Sequence, residues 1–342
     1  MTMPRKSVEI GKRPFSVYLA ACAAPRDQSP PVLAWKEIAQ ADVSGLYQIT
    51  DDPGLADLIL FVDLHLNRQW RLRSLRNHPL VLEFRDKVLV YDERDHPWIA
   101  IPGLFCSMPA TDFDPERQIA CGYYGLSRMK GQPDADTGRR SPPDLLFSFM
   151  GSCSHPCRRE VLRLSHPRAH VEDTSGFVFY DCPDPELYER QRNRYLSTMR
   201  RSKFVLCPRG AGTGSVRLFE TLASGRVPVI ISDDWVAPEE VHWPTLSIRV
   251  PESEIASIPL RLEEAESRFP EMSAAALAAY KDQYTPEIIF HRFMQSCREL
   301  LSRRAPALGA RRGLRYWRIG AAVAEYRVRV AGGKILRACG LR

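Results

Sequence analysis

The stretch 210-GAGTGSVRLFETLASGRVPVII-231 carries three glycines in its first five residues and then passes into a segment with helical spacing. Glycines ahead of a helix commonly serve to hold a phosphate, because they let it approach unpaired backbone amides. Two phosphate signatures fail here on spacing. A P-loop requires a lysine followed by Ser or Thr, and no lysine lies between Lys203 and Lys281. The dinucleotide fingerprint requires a third glycine where Ser215 stands. The flanking residues must therefore define this loop.

Upstream, KFVLCP is apolar enough for a buried strand, and downstream VPVIIS repeats that pattern. Between them SVRLFETLAS reads as a helix that stops at Gly225. At about 100° per residue, Leu218, Phe219, Leu222 and Ala223 share one arc, with Arg217, Glu220, Thr221 and Ser224 opposite. Ser215 is expected to cap the helix by accepting from its free amides. Arg217 falls in the first turn, where the dipole is already positive and a cation costs roughly 0.3–1 kcal/mol. An anion there would be stabilised by the dipole, the amides and the guanidinium together. A diphosphate fits that description. Glu220, one turn on, accepts hydrogen bonds only and suits paired hydroxyls such as those of a ribose. Taken alone, the helix equally allows a solvent-facing Arg217–Glu220 ion pair worth roughly 0.2–0.5 kcal/mol. The preceding loop, with Arg209, Gly210 and Gly212, admits a ligand to the backbone and favours the anion-binding reading.

A second element has the same grammar. In LLFSFMGSCSHPCRREVL, residues 145–162, a strand ends at Gly151 and a helix is expected from about Pro156, with Arg158 and Arg159 in its first turn. Two such sites would grip a diphosphate from two sides.

Further buried-strand runs are FSVYLA, ADLILFVD, KVLVY and DLLFSF, alternating with helical stretches at 68–76, 158–164 and 216–224. Such alternation implies parallel sheets covered on both faces. The Gly-, Pro- and charge-rich segment 127–143 is the best linker; its Asp134 and Asp136 read as solvated rather than metal-binding. The expected organisation is α/β, with two Rossmann-like domains facing across a cleft: 1–140, 141–302, and a basic tail at 303–342. The segment 271–304 is helical, interrupted at Thr285-Pro286, and should pack back on the body.

Composition narrows the classes. Among 342 residues, 44% hydrophobic and 26% charged, no apolar run is long enough to cross a membrane. FSVYLAACAA, cut short by Pro25, reads as a first strand rather than a signal peptide. Nine scattered cysteines do not form a disulfide framework and suggest a reducing cytoplasm. Cys153 and Cys157 lack the second pair that a zinc site would need, so no metal is expected. The net charge of +7 sits in the tail, where eleven Lys/Arg from Arg303 to Arg342 face one acid, Glu325. The body is mildly acidic, which argues against nucleic acid as a partner.

Taken together, 195-YLSTMRRSKFVLCPRGAGTGSVRLFETLASGRVPVIISDDWVAPEEVHWPTLSIRVPE-252 resembles the donor half of the exostosin family of glycosyltransferases. The positions that carry the resemblance are Ser202, Lys203, Phe204, Pro208, Gly210, Ser215, Arg217, Glu220, Gly225, Pro228 and Val229. Upstream, Phe149, Gly151 and Arg158 match the family's Phe-x-Gly and helix-opening Arg; the resemblance covers about residues 145–260. It implies a GT-B architecture, a sugar-nucleotide donor (UDP-sugar favoured) in the C-terminal domain, and inverting transfer to a glycan acceptor without an essential metal or other cofactor. Arg217 would be the diphosphate ligand and Glu220 the ribose ligand. Surface-polysaccharide synthesis is the implied setting, cytoplasmic or peripheral on the inner membrane face. The chain departs from the pattern at Pro238-Glu239, where the family often has Pro-Phe, and residues 1–140 resemble it only faintly.

Inverting transfer needs a base for the acceptor hydroxyl, beyond the carboxyl ends of the N-terminal strands. Asp63 and His65 follow one strand; Asp92, Glu93, Asp95 and His96 follow another and are the richer cluster. Trp98 beside them reads as core. Two other functions stay open: a fucosyltransferase-like enzyme using a GDP-sugar, and a non-enzymatic membrane-associated binding protein whose tail engages an anionic surface.

Overall fold

The computed structural model of the protein describes residues 13–22, 25–64, 75, 77–97, 99–124, 142–177 and 182–303. His65, Trp98, the helix expected at 68–76 apart from Leu75, most of the linker and the basic tail beyond Arg303 lie outside them.

The first sheet contains β1 (Phe15–Ala20), β2 (Tyr47–Ile49), β3 (Leu58–Phe61), β4 (Val88–Asp92), β5 (Gly103–Phe105) and β6 (Gln118–Ala120) in the order β2-β1-β3-β4-β5-β6. Every pairing is parallel. Parallel strands need crossovers, and these cover both faces; hence β3 and β4 are buried at every residue and read as unbroken apolar runs. Helix α1 (Pro30–Gln40) links β1 to β2, and α2 (Pro79–Glu83) lies between β3 and β4.

The second sheet contains β7 (Leu145–Gly151), β8 (Ala169–Asp173), β9 (Ser202–Pro208), β10 (Val227–Ile231) and β11 (Ile248–Arg249), in the order β11-β10-β9-β7-β8 and parallel throughout. Its connecting helices are α3 (Pro156–Val161), α4 (Pro185–Arg201) and α5 (Val216–Ala223). Gly225, just past α5, has φ 57°, the left-handed conformation that glycine adopts most cheaply at a helix C-terminus.

Helices α6 (Ile258–Ala265), α7 (Phe269–Gln283) and α8 (Ile289–Ser302) complete the described chain. Helix α8 returns to the first sheet. Its Phe293 ring lies 4.5 Å from Trp35 on α1 and 5.2 Å from Tyr91 on β4, burying all three aromatics.

The carboxyl edges of the two sheets face each other and are joined by backbone. Ala110 N donates to Asp234 O at 2.7 Å, and Val236 N to Met108 O at 3.0 Å. Aromatics fill the joint, with Tyr123 6.0 Å from Phe219 and Tyr124 5.9 Å from Tyr284. This is the GT-B-like, two-sheet arrangement expected from the alternation of strands and helices.

Candidate active site at the switch point of the second sheet

In an open parallel sheet, the chain leaves a crevice where successive strands turn to opposite sides. In the second sheet that point lies between β7, which is followed by β8 on one side, and β9 on the other. The loops there are the two Gly- and Arg-containing segments singled out by sequence.

Arg217 on α5 reaches across the switch point to β7. Its Nη2 donates to Met150 O at 2.6 Å, and its Cζ stands 4.6 Å from the Phe149 ring centre and 5.8 Å from that of Tyr195 on α4. Its Nε and Nη1 are buried and have no acceptor among the described residues. Buried N–H groups left so cost about 1–3 kcal/mol each, so this guanidinium is poorly satisfied by the described residues and well suited to an anion. Gly151 is needed for the arrangement: a Cβ there would lie 2.8 Å from Arg217 Nη2 and 2.9 Å from the Phe149 ring. Glu220, one turn along α5, accepts a hydrogen bond from Tyr195 Oη at 2.7 Å.

Arg158 has a different role from the second diphosphate grip expected of it. Its Nε, Nη1 and Nη2 donate to the carbonyls of Arg209 (2.8 Å), Ser152 (3.1 Å) and Pro208 (3.3 Å). It ties the β7 and β9 loops together and so holds the switch-point crevice in shape. Helix α3 does begin at Pro156, capped by His155 Nδ1 accepting from Cys157 N at 3.3 Å. Arg159 is exposed. Arg209 approaches Glu252 (Nη1 to Oε1, 3.8 Å), and its buried Nε has no acceptor among the described residues.

The glycine loop itself faces the other half of the molecule. A Cβ on Gly212 would come within 2.6 Å of Asp95 Cα and O and 2.5 Å of Ser107 Oγ, so this glycine admits first-half backbone rather than a ligand. Gly214 N donates to Ser107 Oγ at 2.8 Å. Gly210 is roomier: a Cβ there would lie 3.3 Å from its nearest neighbour, Arg158 Nη2. Ser215 occupies the N-cap position of α5, but its side chain makes no capping hydrogen bond. Thr221 and Ser224, expected on the outer arc, are buried: their hydroxyls donate to Arg217 O (2.7 Å) and Met199 Sδ (3.3 Å).

Burial sorts the acidic cluster after β4. Asp92 is fully buried and accepts from Arg94 N, Nε (2.8 Å) and Nη2 (2.6 Å), fixing the turn. Glu93 is buried and accepts from Tyr91 Oη at 2.6 Å. Asp95 and His96 are exposed, and Asp95 adjoins the donor-side loop at Gly212. Asp63, at the first sheet's own switch point, is fully buried, and both its oxygens accept from Cys22 N.

Among the described residues one cluster has metal-type donors: His155, Cys157 and Glu252, whose ligand atoms lie within 4.8 Å of one another. Its surroundings disfavour a cation. The His155 Nδ1 lone pair already accepts a backbone N–H, burial pushes the Cys157 thiol up to about 12, and Arg158 and Arg209 stand beside it. No helix among the described residues is long and apolar enough to cross a membrane.

Sequence reasoning missed Tyr195 as a neighbour of the site. It lies 25 residues before Glu220, on a different helix, and no local spacing relates the two.

The Exostosin GT47 domain matches residues 36–265, which includes both sheets' central strands. The chain is 40% identical over 103 residues to an Exostosin-1 homolog of Caenorhabditis elegans, covering 29% of this chain and 27% of that protein. It is 42% identical over 73 residues to a probable glucuronoxylan glucuronosyltransferase, IRX7, of Arabidopsis thaliana, covering 20% of this chain and 16% of that protein. The chain thus spans under a third of the length of either relative. Among solved structures, Anabaena HepE in complex with UDP and glucose superposes with a TM-score of 0.41 at 11% identity, over 85% of this chain and 100% of that one. An α1,3-fucosyltransferase with GDP-fucose gives 0.44 at 13%, over 89% and 95%. With a family match across more than half of its length, the chain belongs to the exostosin GT47 family.

Proposed function

We propose that this chain is an inverting glycosyltransferase that moves a sugar from a nucleotide-diphosphate donor to a glycan acceptor. The observation that carries the reading is the Arg217 guanidinium at the switch point: it lies over Phe149, and its buried Nε and Nη1 lack acceptors among the described residues. Negative charge grows on the departing diphosphate as the glycosidic bond breaks, and a fixed cation there stabilises the transition state more than the ground state. Glu220 would take the ribose hydroxyls. Exposure makes Asp95 and His96 the base candidates; Asp92 and Glu93 serve the turn and the core. The glucuronosyltransferase names among the relatives support a UDP-sugar, with a GDP-sugar as the second reading.

The direct test is ligand-induced stabilisation. UDP at 100 times its Kd should add about 2.7 kcal/mol by mass action, and so raise Tm, without added metal. Unchanged melting with both UDP and GDP at millimolar concentration would overturn the donor assignment, whereas a shift with GDP alone would select the second reading.

The tail carries a separate proposal. If residues 311–330 are helical, Arg311, Arg315, Arg318 and Arg329 share a narrow arc, with Leu314, Trp317, Val323 and Val328 elsewhere. Each basic residue near an anionic surface contributes about 1 kcal/mol, enough together for peripheral attachment. Sedimentation with anionic vesicles should pellet the full chain and not a chain ended at Arg303. Equal binding to neutral vesicles would sink this idea.

A further inference from the structure

The loop between β9 and α5 meets the first half of the molecule at close quarters, and Gly212, Thr213 and Gly214 are all buried there. Among the described glycines only Gly45 and Gly225 have positive φ, so Gly212 and Gly214 are required for space and not for conformation. A Cβ on Gly212 would stand 2.6 Å from both Cα and O of Asp95, and backbone cannot swing aside as a side-chain tip can. Gly214 N donates to Ser107 Oγ at 2.8 Å, and that fully buried hydroxyl also lies 3.1 Å from Tyr123 Oη. On its own side the loop is held by Ser232 Oγ, which donates to Thr213 O at 2.9 Å. The turn carrying Asp95 is fixed within its own half as well, by the bonds between Asp92 and Arg94. The loop then runs directly into α5 and Arg217. One short segment therefore touches the turn bearing the exposed Asp95 and His96 and opens the helix bearing the guanidinium at the crevice.

We propose that Gly212 and Ser107 are positioning residues: together they hold the Asp95–His96 turn in register with the donor crevice, so that the base meets the attacking hydroxyl opposite the leaving diphosphate. The proposal rests on the assignment of the base to that turn and of the diphosphate to Arg217. A general base works only within about 2.6–3.2 Å of the group whose proton it takes, and a misplacement of about 1 Å costs on the order of 100-fold in rate. A backbone contact and a buried hydrogen bond fix such a distance better than flexible side chains do. These two glycines then serve the geometry of attack, and the first half completes the site.

The test on the full chain is hydrolysis, with water as acceptor, of the UDP- or GDP-sugar that wild-type protein turns over, beside calorimetric Kd values for UDP and GDP. Gly212→Ala should lower kcat by about 100-fold, and Ser107→Ala, which adds no clash, by about tenfold. Nucleotide Kd should stay within about threefold of wild type in both. The acid limb of the kcat–pH profile, which reports the base in the enzyme–substrate complex, should flatten in Gly212→Ala. Adding the more damaging of Asp95→Asn and His96→Gln to Gly212→Ala should cost little beyond the worse single variant, because the glycine acts only through that base. A merely structural contact would lower Tm but leave kcat of the folded protein unchanged. That result in Ser107→Ala, which decides alone where Gly212→Ala does not fold, would overturn the proposal and leave the donor site standing. Additive losses in the double variant would overturn it too. So would a nucleotide Kd raised about tenfold at unchanged kcat, which would return the loop to nucleotide binding. Wild-type protein that binds neither nucleotide and hydrolyses no sugar nucleotide would remove the donor assignment and this inference together.

Discussion

Arg217→Ala is expected to raise the barrier to transfer by roughly 2–4 kcal/mol, the scale of losing one well-placed charge stabiliser. The loss should fall on turnover, because the guanidinium matters most when the leaving diphosphate has gained its charge. Donor affinity should fall less. Some stability will go too, since the variant gives up the bond to Met150 O and the stack on Phe149. Circular dichroism must therefore confirm folding. Arg217→Lys is the companion: it keeps a charge but loses the planar fork, and should recover only part of the rate. Glu220→Ala should contrast with both, weakening nucleotide binding by about 1–3 kcal/mol with a smaller change in turnover. A folded Arg217→Ala protein with full turnover would show that this arginine only braces β7 against α5.

The second large effect is expected at the base. Removal of a general base costs about 10²–10⁴-fold in rate. That loss should appear in Asp95→Asn or His96→Gln, the two exposed members of the cluster after β4. Asp92→Asn should behave differently. It breaks a buried pair with Arg94 and should be read in melting temperature rather than in rate of the folded fraction. Rates within about threefold of wild type for both Asp95→Asn and His96→Gln would move the search to the first sheet's switch point, where Asp63 lies at the ends of β1 and β3.

Much of the architecture is legible because the central strands of parallel sheets are buried on both faces. FSVYLA, LILF, VLVY, LLFSF, KFVLC and VPVII stand out as apolar runs, and each is a strand. The strands that local pattern does not reveal are short or lie at edges. β2, β6, β8 and β11 form the sheet margins, where one side has no partner strand among the described residues and polar residues are tolerated: AHVED in β8 has no fully buried position. β5 and β6 are three residues each and too brief to show a period. Helix α4 is hidden for another reason, being hydrophilic over most of its length, with only Leu196, Thr198 and Met199 buried.

At the site, helical periodicity by itself places Arg217 and Glu220 on a common face of α5, and Gly225 at its end. That is local geometry, repeated every turn, and needs no knowledge of the rest of the chain. What each residue touches is a tertiary matter. Spacing alone has Gly212 admitting a ligand; folding sets the first half's Asp95 and Ser107 against it instead, and Cys106 and Tyr123 against Gly214. Arg158 resembles a second anion ligand by its place in a first turn, yet three carbonyls of the β7 and β9 loops claim it. The three acids and one imidazole after β4 are equivalent in sequence, and only burial separates Asp92 and Glu93 from Asp95 and His96. The sequence by itself thus determined which central elements form and where Arg217 and Glu220 sit on their helix, because those follow from backbone repeat and solvent exclusion within one segment. The partners of those side chains, Tyr195 for Glu220 and Phe149 for Arg217, were decided by how strands distant in the chain become neighbours in a sheet, an ordering no local period encodes.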